Sequence, residues 1–122
     1  MKLIDNYFKI VGKSNEGASY KYDISLIAGH VVYEGHFPGN AVSPGVFSIE
    51  MMRECCEDAL GKKLIIESIN QCRFLSVLRP KDDEVLELSF TVDEKSEGEY
   101  LIVGQIKTAE VTYVTIKETL RV

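Results

Sequence analysis

Residues 35–50 read Gly-His-Phe-Pro-Gly-Asn-Ala-Val-Ser-Pro-Gly-Val-Phe-Ser-Ile-Glu, and the rest of the chain is interpreted around them. Pro38 and Gly39 interrupt regular structure, because proline fixes φ and lacks an N–H donor while glycine admits left-handed conformations. His36 is therefore predicted to lie in a loop. A loop imidazole is a candidate base, since its unperturbed pKa lies close to the pH of the cell.

A helix is predicted to begin where this stretch ends. Ser43 is a good N-cap residue, Pro44 suits the first helical position, and Gly45 leaves the helix end uncrowded. The Gly45 N–H is then open to a ligand at the positive end of the helix. Glu50 follows fourteen residues after His36. A base, an open helix end and a carboxyl group are therefore interpreted as parts of one site.

The predicted helix covers residues 44–60 and is closed by Gly61. Its polar stripe is narrow and consists of Glu50, Arg53, Glu54 and Glu57. Its apolar face consists of Val46, Ile49, Met52, Cys56, Ala59 and Leu60, and is widened by Phe47, Met51 and Cys55. Because so little of the circumference is polar, the helix is expected to be largely buried.

The remaining segments are predicted to be mainly extended. Residues 20–26 and 86–92 alternate between apolar and polar side chains, which is typical of strands with one buried face. Residues 3–11 are expected to form a first strand or the approach to it. Further strands are expected at 64–75, 100–106 and 111–120, with turns at 12–17, 79–83 and 95–98. A buried helix followed by an antiparallel meander predicts a single α+β domain over residues 1–122, with five or six strands covering the helix.

Composition excludes several classes of function. The chain has 122 residues and a formal net charge of −5, whereas nucleic-acid binding needs clustered cations. An apolar run of spanning length and a leading signal segment are both lacking, so a cytoplasmic protein without membrane contact is expected. The two histidines and three cysteines have no metal-ligand spacing, so no metal is expected.

The motif within residues 36–50 resembles one found in the FabZ-type dehydratases, which act on 3-hydroxyacyl groups bound to acyl carrier protein. That family carries His-Phe-Pro-Gly-x-Pro-Val-x-Pro-Gly-Val, with an acidic residue fourteen positions after the histidine. The resemblance extends to Leu3-Ile4-Asp5, to residues 30–35 and to the segments Arg73-Phe74 and Leu78-Arg79-Pro80-Lys81-Asp82. The chain departs from the family at Asn6 (usually Arg), Ala41 (usually Pro) and Glu54 (usually Gln).

The resemblance implies a hot-dog fold, in which a strongly bent antiparallel sheet wraps around one long helix. It implies a homodimer or higher homo-oligomer in which His36 of one subunit works with Glu50 of the other. The implied reaction is dehydration of a 3-hydroxyacyl group to a trans-2-enoyl group, in fatty-acid or related acyl-chain biosynthesis. The implied partner is acyl carrier protein, whose phosphopantetheine arm carries the substrate, and no separate cofactor is expected.

The reaction needs three groups. A base must remove the C2 proton, an acid must protonate the departing hydroxyl, and a donor must polarise the thioester oxygen. His36, Glu50 and the Gly45 N–H are the respective candidates. Burial among apolar helix residues and repulsion from Glu54 are both expected to raise the pKa of Glu50, as its role as an acid requires.

Other residues are candidates for substrate and carrier contacts. The substrate-binding candidates are Gly45, Val46, Phe37, Val42, Phe47 and Phe74, of which the phenylalanines and Val42 are expected to form walls of an acyl tunnel. The carrier-binding candidates are Arg73, Arg79 and Lys81, with Lys62 and Lys63 as a second choice, since an acidic chain needs a local basic patch to attract an acidic carrier.

Each assignment has a structural alternative. His36 could be a structural histidine, and Glu50 a solvated or ion-paired glutamate next to Arg53. Gly45 could serve only close packing, and the wall candidates could belong to the core. The competing functions are a hot-dog acyl thioesterase, which needs a carboxylate and water but no spaced histidine, and a catalytically silent acyl-binding or dimerisation module. His30 is expected to be a loop or core histidine.

Overall fold

The structure is a computed structural model that describes residues 2–35 and 39–122. Within these residues there are two helices, α1 (Val32–Gly35) and α2 (Gly45–Leu60). The strands are β1 (Phe8–Glu16), β2 (Ser19–Leu26), β3 (Ile65–Phe74), β4 (Leu86–Ser96), β5 (Glu99–Lys107) and β6 (Thr112–Arg121). All six belong to one sheet.

The sheet has the strand order β1-β2-β4-β5-β6-β3, and every neighbouring pair is antiparallel. β3, which directly follows α2, lies at one edge beside β6, while β1 lies at the other edge. The buried core combines side chains of α2 with inward-facing residues of the strands, such as Leu88, Ile102 and Leu120. The expected architecture of six antiparallel strands covering one long helix is confirmed.

The start of α2 differs from the prediction. Pro44 occupies the N-cap position, and no side chain within the described residues caps the helix. Ser43 lies one residue earlier, and its hydroxyl is hydrogen-bonded to that of Tyr7 instead. At the other end the prediction is confirmed, because Gly61 takes a left-handed conformation (φ 65°) and donates its N–H to the Glu57 carbonyl.

The buried face of α2 is also rotated from the predicted one. The buried residues are Ser48, Met51, Met52, Glu54, Cys55 and Cys56, whereas Val46 is 60% exposed. The pattern was ambiguous because apolar residues occur around most of the helix. Hydrogen bonds from the N-terminal segment to Glu54, described below, determine which side of α2 faces the core.

The N-terminal segment contains both features expected for residues 3–11, an approach and the start of the first strand. Residues 3–7 form a tight turn around Asp5 (φ 66°), and β1 begins only at Phe8. The predicted turn at 12–17 is wrong, because β1 continues to Glu16 and pairs with β2. The real turn lies at Gly17 (φ 59°), since polar residues are tolerated where this end of the strand is exposed.

The described residues contain neither a cluster of side chains suited to a metal ion nor a helix long and apolar enough to cross a bilayer. All three cysteines are free thiols. Burial raises the pKa of Cys55 and Cys56. These thiols are therefore unreactive core side chains.

Candidate active site

A cleft of about 500 Å³ opens beside the first turn of α2. Three predicted substrate-binding residues, Val42, Gly45 and Phe74, line it. The remaining lining residues are Ser43, Ser48, Leu75, Ser76, Val77, Leu78 and Val114. This mainly apolar wall, with a helix N-terminus at one side, can hold an acyl chain and present a backbone donor to a polar group on it.

Gly45 and Phe74 are in close contact at this cleft. A Cβ atom added to Gly45 would lie 2.8 Å from Cζ of Phe74, which is closer than side-chain carbons approach one another. The Phe74 ring is nevertheless 55% exposed. A side chain at position 45 would therefore force the Phe74 ring to move from its place at the mouth of the cleft.

Two other predicted substrate-binding residues lie elsewhere. Phe47 packs in the core with its ring edge-on to Tyr7, at a centroid distance of 4.7 Å, and Val46 is a surface residue. At about 100° per helical residue, neither points the same way as Gly45. The predictions for His36 and Phe37 fall outside the described residues.

Glu50 forms an ion pair with Arg53. The Arg53 Nε donates to Oε1 of Glu50 at 3.0 Å, and Nη2 donates to Oε2. Both side chains are largely buried. The Arg53 Nη1 also donates to the Leu64 carbonyl at 3.1 Å and lies 2.8 Å from Oε2 of Glu57. These bonds tie Glu50 to the connection between α2 and β3.

This ion pair corrects the predicted electrostatics of Glu50. Burial is the largest single influence on the pKa of Glu50 and raises it, but the hydrogen bonds from Arg53, a hydrogen bond with Glu54 and nearby positive charge together outweigh burial, so that the pKa is lowered. The expected increase is therefore wrong, because Glu54 lowers this pKa where repulsion was expected to raise it, and because spacing alone does not show the bidentate contact with Arg53. The alternative of an ion-paired glutamate is confirmed.

Glu50 also points away from the cleft of its own chain. It lies five residues after Gly45, which places it about 140° further around the helix. Gly45 lines the cleft and Glu50 does not. A single copy of the chain therefore keeps the predicted acid and the predicted thioester donor on different sides of α2.

Glu54 holds the N-terminal segment of the chain. Its two carboxylate oxygens accept the Leu3 N–H at 2.8 Å each, and Oε1 also accepts the Ile4 N–H at 2.9 Å. Burial and the neighbouring Glu50 carboxyl raise the pKa of Glu54, although the two backbone donors oppose this. Although Glu54 belongs to the polar stripe of the helix, it is only 3% exposed.

A chain of hydroxyl groups reaches the cleft from the interior. Tyr33 donates to the Tyr7 hydroxyl at 2.5 Å, and Tyr7 is hydrogen-bonded to Ser43, which lines the cleft. Periodicity could not reveal this arrangement, because the three residues come from separate segments. His30 packs edge-on to Tyr7 and its Nδ1 accepts the Val32 N–H at 3.0 Å, which agrees with its expected structural role.

The predicted carrier-binding residues are exposed, and two of them border a segment that lines the cleft. Arg73 and Arg79 flank the lining segment 74–78 in sequence, and Arg79 donates to Asn40 Oδ1. Lys81 lies 3.9 Å from Glu84. The second-choice residues Lys62 and Lys63 lie beyond the other end of α2, a helix of about 24 Å.

Comparison with known proteins identifies the family. The family model described as ApeI-like, ApeI dehydratase, matches residues 12–112. A 3-hydroxyacyl-acyl carrier protein dehydratase FabZ of Lactobacillus helveticus is 30% identical over 119 residues, covering 88% of this chain and 76% of the relative.

Solved structures agree on the fold. The dehydratase heterocomplex ApeI:P from Xenorhabdus doucetiae matches with a TM-score of 0.74 and 20% identity, over 93% of this chain and 96% of that one. A putative thioesterase, yhdA from Lactococcus lactis, matches with a TM-score of 0.66 and 14% identity, over 99% and 98%. With the hot-dog architecture in place and a family match over most of its length, the chain belongs to the ApeI-like and FabZ-type dehydratases and is a dehydratase enzyme.

Proposed function

We propose that the protein converts a 3-hydroxyacyl group on acyl carrier protein to the trans-2-enoyl group, as the names of its FabZ relatives describe for those proteins. The observation that carries this proposal is the cleft at the start of α2, where Gly45 and an apolar wall occur together. The cleft accepts the acyl chain, and the Gly45 N–H polarises the thioester oxygen at the positive helix end.

In this proposal His36 is the base and Glu50 is the acid. His36 removes the C2 proton while the Gly45 N–H stabilises the enolate character that develops on the thioester. Glu50 gives a proton to the departing hydroxyl at C3, directly or through water. Arg53 makes Glu50 a stronger acid but reduces the fraction that is protonated, so only a small part of the enzyme holds protonated Glu50 together with neutral His36.

The active site is proposed to form between two copies of the chain. Glu50 points away from its own cleft, so a second copy must supply the acid that works there. β3 is suited to the contact because it is an edge strand with exposed apolar residues, Ile65, Ile69 and Phe74. An exposed edge with unpaired backbone groups readily pairs with a further strand.

Mixing two inactive variants tests the shared site. His36→Ala and Glu50→Gln homodimers each lack one group in every site. Heterodimers formed by subunit exchange contain one site with both groups intact, so a random mixture recovers about a quarter of the wild-type activity. Persistent inactivity despite demonstrated exchange would contradict a site shared between copies. The same exchange experiment shows whether the chain pairs with itself, or instead needs a different hot-dog chain.

The reaction is tested with 3-hydroxybutyryl and crotonyl pantetheine thioesters. We expect the absorbance of the conjugated enoyl thioester to rise with the first substrate and fall with the second, without release of free thiol. Thiol release with no change in conjugation would favour the thioesterase alternative. Binding without either change would favour a silent acyl-binding module.

Acyl carrier protein is the proposed partner, and its phosphopantetheine arm brings the substrate to the cleft in the cytoplasm. Arg73, Arg79 and Lys81 are proposed to attract the acidic carrier. We expect an Arg79→Glu variant to raise KM for the carrier-bound substrate and leave KM for the free pantetheine thioester unchanged. An equal change for both substrates would place Arg79 in the acyl site instead.

A further inference from the structure

A serine hydroxyl belongs to the wall of the cleft beside α2. Ser43 is 8% exposed and lines the cleft together with apolar residues. Its backbone N–H donates to the Leu78 carbonyl at 2.8 Å. That bond fixes the position of Ser43 on the wall, so the hydroxyl is held at a defined place before any ligand arrives.

Two buried tyrosines determine what this hydroxyl offers. Tyr33 donates its proton to the oxygen of Tyr7 at 2.5 Å, and the Tyr7 and Ser43 hydroxyls are hydrogen-bonded to each other. Of the described residues, Ser43 is the one acceptor available to the Tyr7 proton. A buried donor without an acceptor is costly, so Tyr7 donates to Ser43.

In this direction the Ser43 proton has one acceptor among the described residues, the Tyr33 oxygen, with which Ser43 also forms a hydrogen bond. The hydroxyl proton can rotate away from Tyr33, and Ser43 is one of the residues that line the cleft. A ligand oxygen that enters the cleft would therefore find a donor whose own oxygen is already engaged. Hydrogen bonds in such a chain polarise one another, which strengthens the last donor.

We propose that Ser43 donates a hydrogen bond to the 3-hydroxyl oxygen of the bound acyl group and thereby distinguishes 3-hydroxyacyl chains from those without a hydroxyl. This inference rests on the proposed function, in which the Gly45 N–H takes the thioester oxygen. The 3-hydroxyl is then the second oxygen of the acyl group that needs a partner in a mainly apolar cleft. Tyr7 and Tyr33 act through Ser43 as positioning residues.

The hydrogen-bonded hydroxyls of Tyr33, Tyr7 and Ser43 supply a hydrogen bond to the ligand and do not transfer a proton to it. Burial raises the pKa of both Tyr7 and Tyr33. Passing a proton outward would leave a phenolate in the core, which the same burial disfavours. Ser43 therefore binds the hydroxyl group, and the acid that protonates it remains Glu50.

Binding of two matched ligands tests the proposal without turnover. The first is 2,2-difluoro-3-hydroxybutyryl pantetheine, which cannot lose water because C2 carries no proton. The second is 2,2-difluorobutyryl pantetheine, which lacks the hydroxyl. For the wild-type protein we expect the hydroxylated ligand to bind about five- to tenfold more tightly, as one net hydrogen bond implies.

Three variants decide the outcome. Ser43→Ala should bring the two dissociation constants to within about twofold of each other, and Tyr33→Phe should give an intermediate ratio because Ser43 can then donate back to Tyr7. Ser89→Ala is the control, because Ser89 lies on β4 and its hydroxyl donates to Glu87 at 3.0 Å, away from the cleft. Equal binding by the wild type, or an undiminished preference in Ser43→Ala, would overturn the proposal. An unchanged ratio in Tyr33→Phe would overturn the role of the tyrosines.

The dehydratase assay separates this inference from the proposed function. If the protein dehydrates 3-hydroxybutyryl pantetheine but Ser43→Ala keeps the ligand preference, only the inference about Ser43 is wrong. If dehydration is absent while Ser43→Ala abolishes the preference, the cleft recognises a hydroxyl and the proposed reaction is wrong. Thermal unfolding of each variant shows that the fold is retained.

Discussion

Arg53 donates hydrogen bonds to both carboxylate oxygens of Glu50, from Nε to Oε1 at 3.0 Å and from Nη2 to Oε2. Because the same guanidinium is anchored by the Leu64 carbonyl and by Glu57, the Glu50 carboxylate is held in one orientation. A glutamate held this way is a preorganised group whose protonation depends on its neighbour. Arg53 is therefore a positioning residue for the proposed acid.

Replacing Arg53 should change the pH dependence of the reaction. Glu50 acts in its protonated form while His36 must be neutral, so both groups set the profile of kcat/KM against pH, and Arg53 lowers the pKa of Glu50. Arg53→Met removes the lowering, and the limb of the profile that reports Glu50 should move to higher pH. Arg53→Lys keeps the charge without the bidentate geometry, so its pH profile should lie between those of the wild type and Arg53→Met. A limb that does not move in Arg53→Met would contradict the link between the two residues.

The same substitution should cost stability. The folded-state pKa of Glu50 is lowered, so its contribution is present above the unfolded pKa and is lost as pH falls through the folded pKa. Arg53→Met is expected to be destabilised by about 1–3 kcal/mol at pH 7, because hydrogen bonds to charged groups are lost. Urea unfolding measures this, and the difference from the wild type should shrink at low pH.

Removing either proposed catalytic group should lower turnover and leave the fold intact. His36→Ala removes the base and Glu50→Gln removes the acid, and each is expected to reduce kcat by about a hundredfold or more. Initial-rate assays of enoyl thioester formation measure the decrease in kcat. Circular dichroism is the control for folding. Unchanged turnover in either variant would rule out the role assigned to that residue.

Glu118 on β6 should make the protein less stable as pH rises. It is 0% exposed, and neither carboxyl oxygen has a hydrogen-bond partner among the residues described. Burial raises its pKa to about 7, although Arg53 opposes this. The folded state therefore binds more protons than the unfolded state between pH 4.5 and about 7, and stability falls across that window.

Glu118→Met should remove this dependence and stabilise the protein at pH 7.5. Since one pKa unit corresponds to about 1.4 kcal/mol, ionising Glu118 in the folded state costs about 3 kcal/mol. A gain of about that size is expected in urea unfolding. Glu16→Met, at an exposed position of β1, is the matched control and should change little. A destabilised Glu118→Met protein would show that the carboxyl group has a partner in solution.

Glu54 should hold the N-terminal segment in an ordered conformation. It accepts the N–H groups of Leu3 and Ile4, which have no strand partner in the turn that they form. Glu54→Ala should expose these amides to hydrogen exchange and cost about 1–3 kcal/mol. Glu54→Gln keeps an acceptor oxygen and should preserve most of the protection. Equal exchange in all three proteins would mean that Glu54 does not hold the segment.

Much of the fold follows from local pattern. Alternation over residues 20–26 and 86–92 and the glycine stop at Gly61 set strands and a helix end that the structure confirms. These signals are reliable because a strand with one buried face must alternate, and a left-handed helix end favours glycine. The family resemblance rested in the same way on local spacing between His36, the proline-glycine pairs and Glu50.

Only the tertiary structure decided which faces meet. Val46 and Glu54 lie on the same short helix, yet the apolar residue is exposed and the acidic one is buried, because Leu3 and Ile4 bring backbone donors to Glu54. The pKa of Glu50 likewise depends on the bidentate contact with Arg53 and on the anchor at Leu64, a geometry that spacing does not specify. Residue types and their periods determine the elements, whereas hydrogen bonds between distant segments determine the charge and orientation of the side chains that they carry.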